Sequence, residues 1–514
     1  MQSSRPRVVV IGGGAAGMAC AWNLAKAGVT DSITVIESSP HPGGVASTID
    51  AEIGGNALRI NIGVQGGAHS YNNVKNLHDT VGKCMRSNAA MKVSFGKYPN
   101  NWTNIVDNHL LKSMRPEIAR FGRVLHWIYR LDPLTALLPI DPLLRLLRFS
   151  AEFRHRLVIP LVALFFGTGN RTSNVSAALI ARVFHDPRLR LFDYDAERLL
   201  SQTPQMFAFS PLEEIYALIT KAIQECSVKH RLLCECRVVG VDRSKGRGAV
   251  VSWVNAQGES QSEHFDHVVF ACGAEASLKI LGSGASFVEK RVLGNVRYFD
   301  DVTYTHTDSD YMGKHYSMNP HAQSEEKPMY FIKSYDGYDL RRVEMSFNLG
   351  AYQPHLKHAA DKQGMQVFQS IFLDAARDES TRWTDKEINP NKVIAKTWWR
   401  QFAHDWTHFL MVVPFVPLIQ GQFGCTWHCG AWTVANTHEI ATVSGFAVAN
   451  RLGAAYPFAN DELASHQFNL YMLVAHGYFA VHRNAKFKVL LLLLSLGLAA
   501  ALAAFAPGLF GTRR

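Results

Sequence analysis

The chain has 514 residues and a mass of 57.2 kDa, enough for two or three domains or one composite body. Apolar residues make up 47% and charged residues 19%, a globular balance that excludes a disordered or collagen-like chain. The net charge of +10 suggests contact with anionic surfaces without indicating nucleic acid, and eight cysteines with no CxxC pair exclude a disulfide framework and argue against structural zinc.

Met1–Arg7 is short and polar, so no secretory signal is expected. Val8-Val9-Val10-Ile11 reads as a strand buried on both faces of a parallel sheet. Gly12-Gly13-Gly14-Ala15-Ala16-Gly17 follows, a GxGxxG turn, and Met18–Ala27 reads as a helix. A second apolar strand, Ile33–Ile36, ends in Glu37, twenty residues after Gly17. Strand, glycine turn, helix, strand and acid at this spacing form a dinucleotide-binding unit. Gly12 allows the tight turn, Gly14 lets the backbone approach a pyrophosphate, and Gly17 lets the helix pack on the strand. The helix N-terminus presents backbone N–H groups to the diphosphate, and Glu37 accepts from a ribose.

Ser38–Pro42 leads into the pair Gly43-Gly44, six residues after the acid, which continues the backbone along an FAD diphosphate. Here the sequence resembles the flavin-containing amine oxidoreductases. That superfamily usually has Arg after the pair, where this chain has Val45. Ile60–Gln65 looks like the flavin-proximal segment, with Gly63, Val64 and Gln65 expected at the cofactor and Asn61 where Asp is usual. The resemblance implies a Rossmann-type α/β FAD-binding domain of the amine-oxidase-like kind, interleaved with an α+β substrate domain. FAD-binding segments are expected at 6–89, 226–275 and 421–455, and substrate segments at 90–225, mostly helical, and 276–420.

Met114–Arg156 carries eight arginines against four acids beside a leucine-rich stretch, Leu134–Leu147, broken by Pro139 and Pro142. It reads either as a helical lid or as a surface that lies on anionic lipid. Arg237–Val241 looks like the strand that meets the adenine, with Val238 the contact, and Ala249–Val254 pairs with the segment near Phe265. His267–Gly273 reads as the strand passing under the cofactor, with Ala271 close to it and Cys272 a small apolar filler.

His306 and Asp308, and His404 and His408 four residues apart, are candidate acid/base residues. Trp398, Trp399, Phe402 and Trp406 form an aromatic cluster suited to a substrate pocket or to core packing. In Cys425–Leu452, Gly430, Trp432, His438, Glu439 and Ser444 are expected around the flavin, ahead of a helix. No metal site is expected. The patches at His306-Thr307-Asp308, Met345–Leu349 and Gly430–Trp432 resemble the amine-oxidase-like FAD/NAD(P)-binding branch. Relatives of this fold include amine oxidases, fatty-acid desaturases and double-bond isomerases.

A linker is expected over 456–488. Val489–Phe510 then runs 22 residues without a charge. At 1.5 Å per residue it reaches ~33 Å, enough to cross a bilayer core. With Arg483, Lys486 and Lys488 before it, it reads as a C-terminal membrane anchor that leaves the body cytosolic. The expectation is therefore an FAD-dependent oxidoreductase of the amine-oxidase-like type. Its substrate is expected to be hydrophobic or lipid, and membrane lipid is its expected partner. Oxidation of a soluble amine, isomerisation without net redox, and a non-redox flavin-binding module stand as alternatives.

Overall fold

The computed structural model describes residues 5–478 except 54, 83–85, 98–100, 167–168, 188–189, 201–204, 245, 319–327, 334–342, 354–355, 357–364 and 374–382. The expected anchor, and the basic residues before it, lie outside the described residues. Among the described residues no helix is long and apolar enough to cross a membrane.

The centre is a five-stranded parallel sheet in the order Arg231–Leu233, Ser32–Ile36, Arg7–Ile11, His267–Phe270, Thr426–His428. Its strands come from three distant stretches of chain. Val8, Val9, Val10, Ile33, Val268, Val269 and Phe270 are fully buried, as continuous apolar runs require when helices cover both faces. Ala15–Ala27 follows the first strand, and its residues from Ala16 to Ala25 are all buried. It packs against His438–Arg451 on one side and Leu212–Gln224 on another. Contact with the former is close enough that a Cβ at Gly445 would overlap the Ala16 carbonyl oxygen. An antiparallel meander, Arg237–Asp242, Ala249–Val254 and Ser260–Phe265, stands beside the sheet.

The second layer is a seven-stranded, mainly antiparallel sheet. It runs Val393–Phe402, Tyr298–His306, Phe368–Leu373, Glu344–Asn348, Tyr330–Lys333, Val93–Phe95, Trp102–Thr103. A helical block, His109–Arg130, Ile140–Leu146, Phe153–Phe166 and Ala177–His185, adjoins it. Both layers share one hydrophobic core.

Two boundaries differ from expectation. Gln205–Phe209 pairs with Gly66–Ala68, and Leu212–Gln224 packs on the dinucleotide helix, so the end of the 90–225 segment belongs with the first body. The expected linker is not a tether over its described part. Glu462–His476 is a helix, capped by Asp461, with Phe468, Tyr471, Met472 and Ala475 buried against the body.

Candidate functional site

A cavity of about 990 Å³ runs along the C-terminal ends of the parallel strands, where this fold class places its ligands. Ile11, Ile36, Ala271 and Gly430, at or just past four strand ends, all line it.

One part of the wall is mostly backbone. Gly12 holds φ +108°, and a Cβ there would meet the Ala271 carbonyl oxygen at 2.9 Å. A Cβ at Gly17 would lie inside the Gly12 carbonyl oxygen and 3.1 Å from the Ala271 Cβ, so this glycine sets how closely helix and strand approach. Gly17 does not line the cavity. Gly14 differs: its backbone is extended, φ −73°, and the nearest atom to an added Cβ is the Gly44 Cα at 4.0 Å. It lines open cavity and is the helix N-cap, with no side chain to occupy the free first-turn amides. Gly43 donates its N–H to the Gly13 carbonyl at 2.8 Å, bringing the two glycine loops together.

Glu37 is buried and lines the same space. Its Oε2 accepts from the Gly13 N–H at 2.6 Å and its Oε1 from the Ser39 N–H at 2.8 Å. Ala15, Ala16, Gly44, Val45, Gly63, Val64, Gln65 and Val238 also line it. The Val45 carbonyl accepts from the Val64 N–H at 3.1 Å, and the Val45 side chain is half exposed. The Asn61 departure has a direct cause. Its Oδ1 accepts from Thr48 Oγ1 and the Leu212 N–H, while its Nδ2 donates to the Phe209 and Ser210 carbonyls. A carboxylate has no proton for those two carbonyls.

The other part of the wall is side chains from distant strands. Tyr330, Phe347, Gln369, Ile371, Trp399 and Phe402 line it from the seven-stranded sheet, Leu164 and Phe165 from the helical block, and Phe192 from the segment that follows the block. Tyr330 and Phe347 meet edge to face at 4.8 Å. Gln369 accepts from Gln65 Nε2 at 2.6 Å and donates to the Ile62 carbonyl at 2.7 Å, joining the two parts. Arg237, Lys279 and Arg400 also line the cavity, Arg400 being paired with Glu275 and Asp300. Among the described lining residues the only carboxylate is Glu37. Phe347 falls in the Met345–Leu349 patch, while Tyr330, Gln369 and Ile371 carry no local motif; strand order brings the four together.

Several expected site residues stand elsewhere. His404 and His408 do not share a helix face: the strand ends at Phe402, Asp405 caps a new helix Trp406–Met411, and His404 precedes that cap. Both rings pack on Phe402, at 4.8 and 5.2 Å, behind the wall. His404 Nε2 accepts from the Asn436 N–H at 2.6 Å, and burial pushes it to about 3 and His408 to about 4. His306 is buried in the sheet against Ser370 Oγ at 2.9 Å, with burial pushing it to about 4. Asp308 caps the helix Ser309–His315 and accepts from Lys392. None of these four lines the cavity. Trp398 is exposed, and Trp406 packs beside Leu410 and Met411.

In the last cofactor segment, Gly430, Trp432 and His438 line the cavity. His438 Nε2 meets Tyr216 Oη at 2.9 Å, and burial pushes it to about 4. The helix starts at His438 itself, ahead of the position expected. Ser444 supports from behind, its Oγ accepting from the Gly430 N–H at 2.8 Å. Glu439 is fully buried and turned away from the cavity. It accepts from the Asn73 and Val74 N–H groups at 2.8 and 2.9 Å, capping the helix Asn72–Val81, and burial raises it to about 7. Cys272 lines the cavity, its thiol pushed up to about 11 by burial, which keeps it protonated. No cluster of potential metal ligands occurs among the described residues.

The family model of the NAD(P)-binding Rossmann-like domain matches residues 10–81. No curated protein matches the sequence. Among solved structures, cyclohexylamine oxidase from Brevibacterium oxydans IH-35A is similar at 15% identity and a TM-score of 0.58, over 87% of this chain and 99% of that one. Putrescine oxidase bound to putrescine is similar at 13% and 0.59, over 88% and 99%. An oxidoreductase from Methanosarcina mazei is similar at 13% and 0.58, over 86% and 100%. A chain that superposes on these proteins over nearly their whole length, with a glycine-lined cleft at the strand ends, has the amine-oxidase-like fold built on a Rossmann-type domain.

Proposed function

We propose that the chain is an FAD-dependent oxidoreductase whose substrate is a hydrophobic molecule or lipid. The cavity fits the cofactor: Gly14 faces open space where a Cβ would stand, the first-turn amides of Ala15–Ala27 are uncapped by a side chain, and Glu37 lies at the end of the second strand. The bound flavin supplies the hydride acceptor. The chain's own groups orient and enclose. Gly12, Gly14 and Gly43-Gly44 would hold a diphosphate, Glu37 would take a ribose hydroxyl, and Gly430–Trp432 and Gln65 line the same cavity.

The observation that carries the substrate reading is the absence of a carboxylate among the described side chains of the aromatic part. An alkylammonium there meets rings, amides and the Arg400 cation with no carboxylate to balance its charge, while an acyl or other apolar chain gains from burial against Phe165, Phe347 and Ile371. The neighbours that act on cyclohexylamine and putrescine favour a second reading, oxidation of a soluble amine. Anaerobic titration of the flavin-loaded protein separates the two. Bleaching of the flavin absorbance by long-chain unsaturated lipid, with no response to putrescine, supports the first reading. Rapid bleaching by putrescine with no response to any lipid sinks it, and a spectral shift without bleaching points to isomerisation or binding alone. The run Val489–Phe510 is proposed as the anchor, and deletion of 489–514 is expected to release the protein from neutral phosphatidylcholine membranes with its flavin in place.

A further inference from the structure

We infer that the exposed face formed by the C-terminal half of His109–Arg130 and the turn after Ile140–Leu146 docks on an anionic lipid bilayer, independently of what the enzyme oxidises. Arg123, Trp127, Arg130 and Leu131 fall at helical spacing on one side of the helix. Ile118, Phe121, Leu125 and Ile128 on the other side are buried. Trp127 is 61% exposed, with the Arg130 guanidinium over its ring at 6.0 Å. One turn before Arg123, Arg120 donates to the Arg148 carbonyl at 3.0 Å and stacks on Phe149 at 3.9 Å. That contact brings Leu146, 78% exposed, and Leu147 beside the same face. A tryptophan and leucines open to water and interspersed with arginines match an interfacial surface, with rings and methyls at the acyl boundary and guanidinium groups among phosphates.

Charge on this face is one-sided for a structural reason. Its four acids are all engaged: Asp132 with Arg182, Asp141 with Arg145 and Arg154, Glu117 with Arg120 and Ser150, and Glu152 with Arg156. Arg123, Arg130 and Arg148 are exposed, and no carboxylate lies within ion-pair distance of them among the described residues. A positive surface of this kind selects anionic over neutral lipid.

Packed elements, with Leu410 and Met411 buried between them, connect this face to the last described residues. Leu137 packs on Leu410 and Met411. The next turn, Val413–Ile419, carries Leu418, 54% exposed, and packs against Glu462–His476. That helix ends at Gly477 and the exposed Tyr478. In sequence Arg483, Lys486, Lys488 and the 22-residue apolar run come next. A chain of packed elements thus joins the face to the helix after which an anchor would leave. On the opposite side of the same helices, Tyr194 Oη donates to the Ile118 carbonyl and packs on Phe184, which adjoins Phe165 of the cavity wall. Docking of the face sets the aromatic part of the cavity a short distance from the bilayer.

The test uses the full chain, flavin-bound, on phosphatidylcholine vesicles containing a brominated phosphatidylcholine as quencher, with or without phosphatidylserine. Emission of Trp127 is taken as the difference between the chain and Trp127→Phe. Quenching of that component is expected with phosphatidylserine and not without it. Arg123→Glu/Arg130→Glu/Arg148→Glu is expected to lower the docked-to-undocked ratio about 100-fold, with flavin absorbance retained as the sign of an intact fold. Three outcomes overturn the inference. The first is an unquenched Trp127 on anionic vesicles. The second is equal quenching in the chain and the triple variant. The third is a Trp127 emission that shifts with protein concentration in the absence of lipid, which gives the face to a second copy of the chain.

Discussion

The two parts of the cavity wall are made by different means. Around Gly12–Gly17 and Gly43-Gly44 the wall is backbone, its shape set by what is missing from the side chains. Around Tyr330, Phe347, Gln369 and Trp399 it is side chain, its shape set by which strands are neighbours. The first kind tolerates little change but is compact in sequence. The second spreads over some seventy residues of chain and is easy to alter one ring at a time.

Acid is expected to have the largest effect, and it strikes both parts together. Burial holds His306, His408 and His438 at about 4 and His404 and His476 at about 3, against an ordinary 6.5. The unfolded chain takes protons that the native chain refuses, so the stability is whole above pH 6.5 and is lost as pH falls toward 4. Each histidine contributes about 1.4 kcal/mol per pH unit across that window. Glu439 opposes them with one proton, since it holds its proton up to about 7 when folded. The denaturant midpoint should fall between pH 7 and 5, with flavin release and tryptophan exposure in one transition. A flat profile would contradict the buried neutral rings. Separate transitions would divide the two parts.

Gly17→Ala comes next. Its methyl overlaps the Gly12 carbonyl oxygen, and the expected loss is about 3 kcal/mol or more, read as a lowered Tm and poor yield of folded protein. Gly14→Val sharpens the contrast. Its side chain enters open cavity, so the unfolding midpoint of the flavin-free protein should stay within about 1 kcal/mol while flavin occupancy is lost. If Gly14→Val keeps its flavin, the turn is not the cradle. Glu37→Gln removes a charge-assisted acceptor and should weaken flavin binding by about 1–2 kcal/mol, measured by equilibrium titration of the flavin-free protein. On the other part, Phe347→Ala should leave flavin occupancy unchanged and raise KM for an apolar substrate about tenfold. A fall in occupancy there would mean the two parts are not separable.

That division also explains how much was legible beforehand. Val8 to Glu37 is thirty residues whose chemistry is local, so strand, turn, helix and acid could be named and the structure has them at those positions. Trp399 and Phe402 are legible because they sit close in sequence to other rings; Trp398 shares that neighbourhood but stands exposed and outside the cavity lining, which proximity in sequence does not reveal. The His404–His408 pairing failed at a helix boundary invisible in spacing alone, although Asp405 as an N-cap was there to mark it. Glu439 was assigned to the flavin by its neighbourhood in sequence, yet its partners, Asn73 and Val74, are more than 360 residues away.

The docked helix Glu462–His476 has a mechanical consequence. Tyr471 Oη meets Thr433 Oγ1 at 2.7 Å, and that hydroxyl donates to the Gly430 carbonyl at 2.7 Å. The same helix also holds the segment beside Tyr71, another lining residue, since Gln467 donates to the Ser70 carbonyl and accepts from Asn73. A load applied to the chain beyond Tyr478 thus reaches the cavity wall at two places. Tension there acts on Gly430 and on the start of the helix Asn72–Val81 together. Held by its C-terminal end, the molecule carries that pull straight into the wall of its cavity.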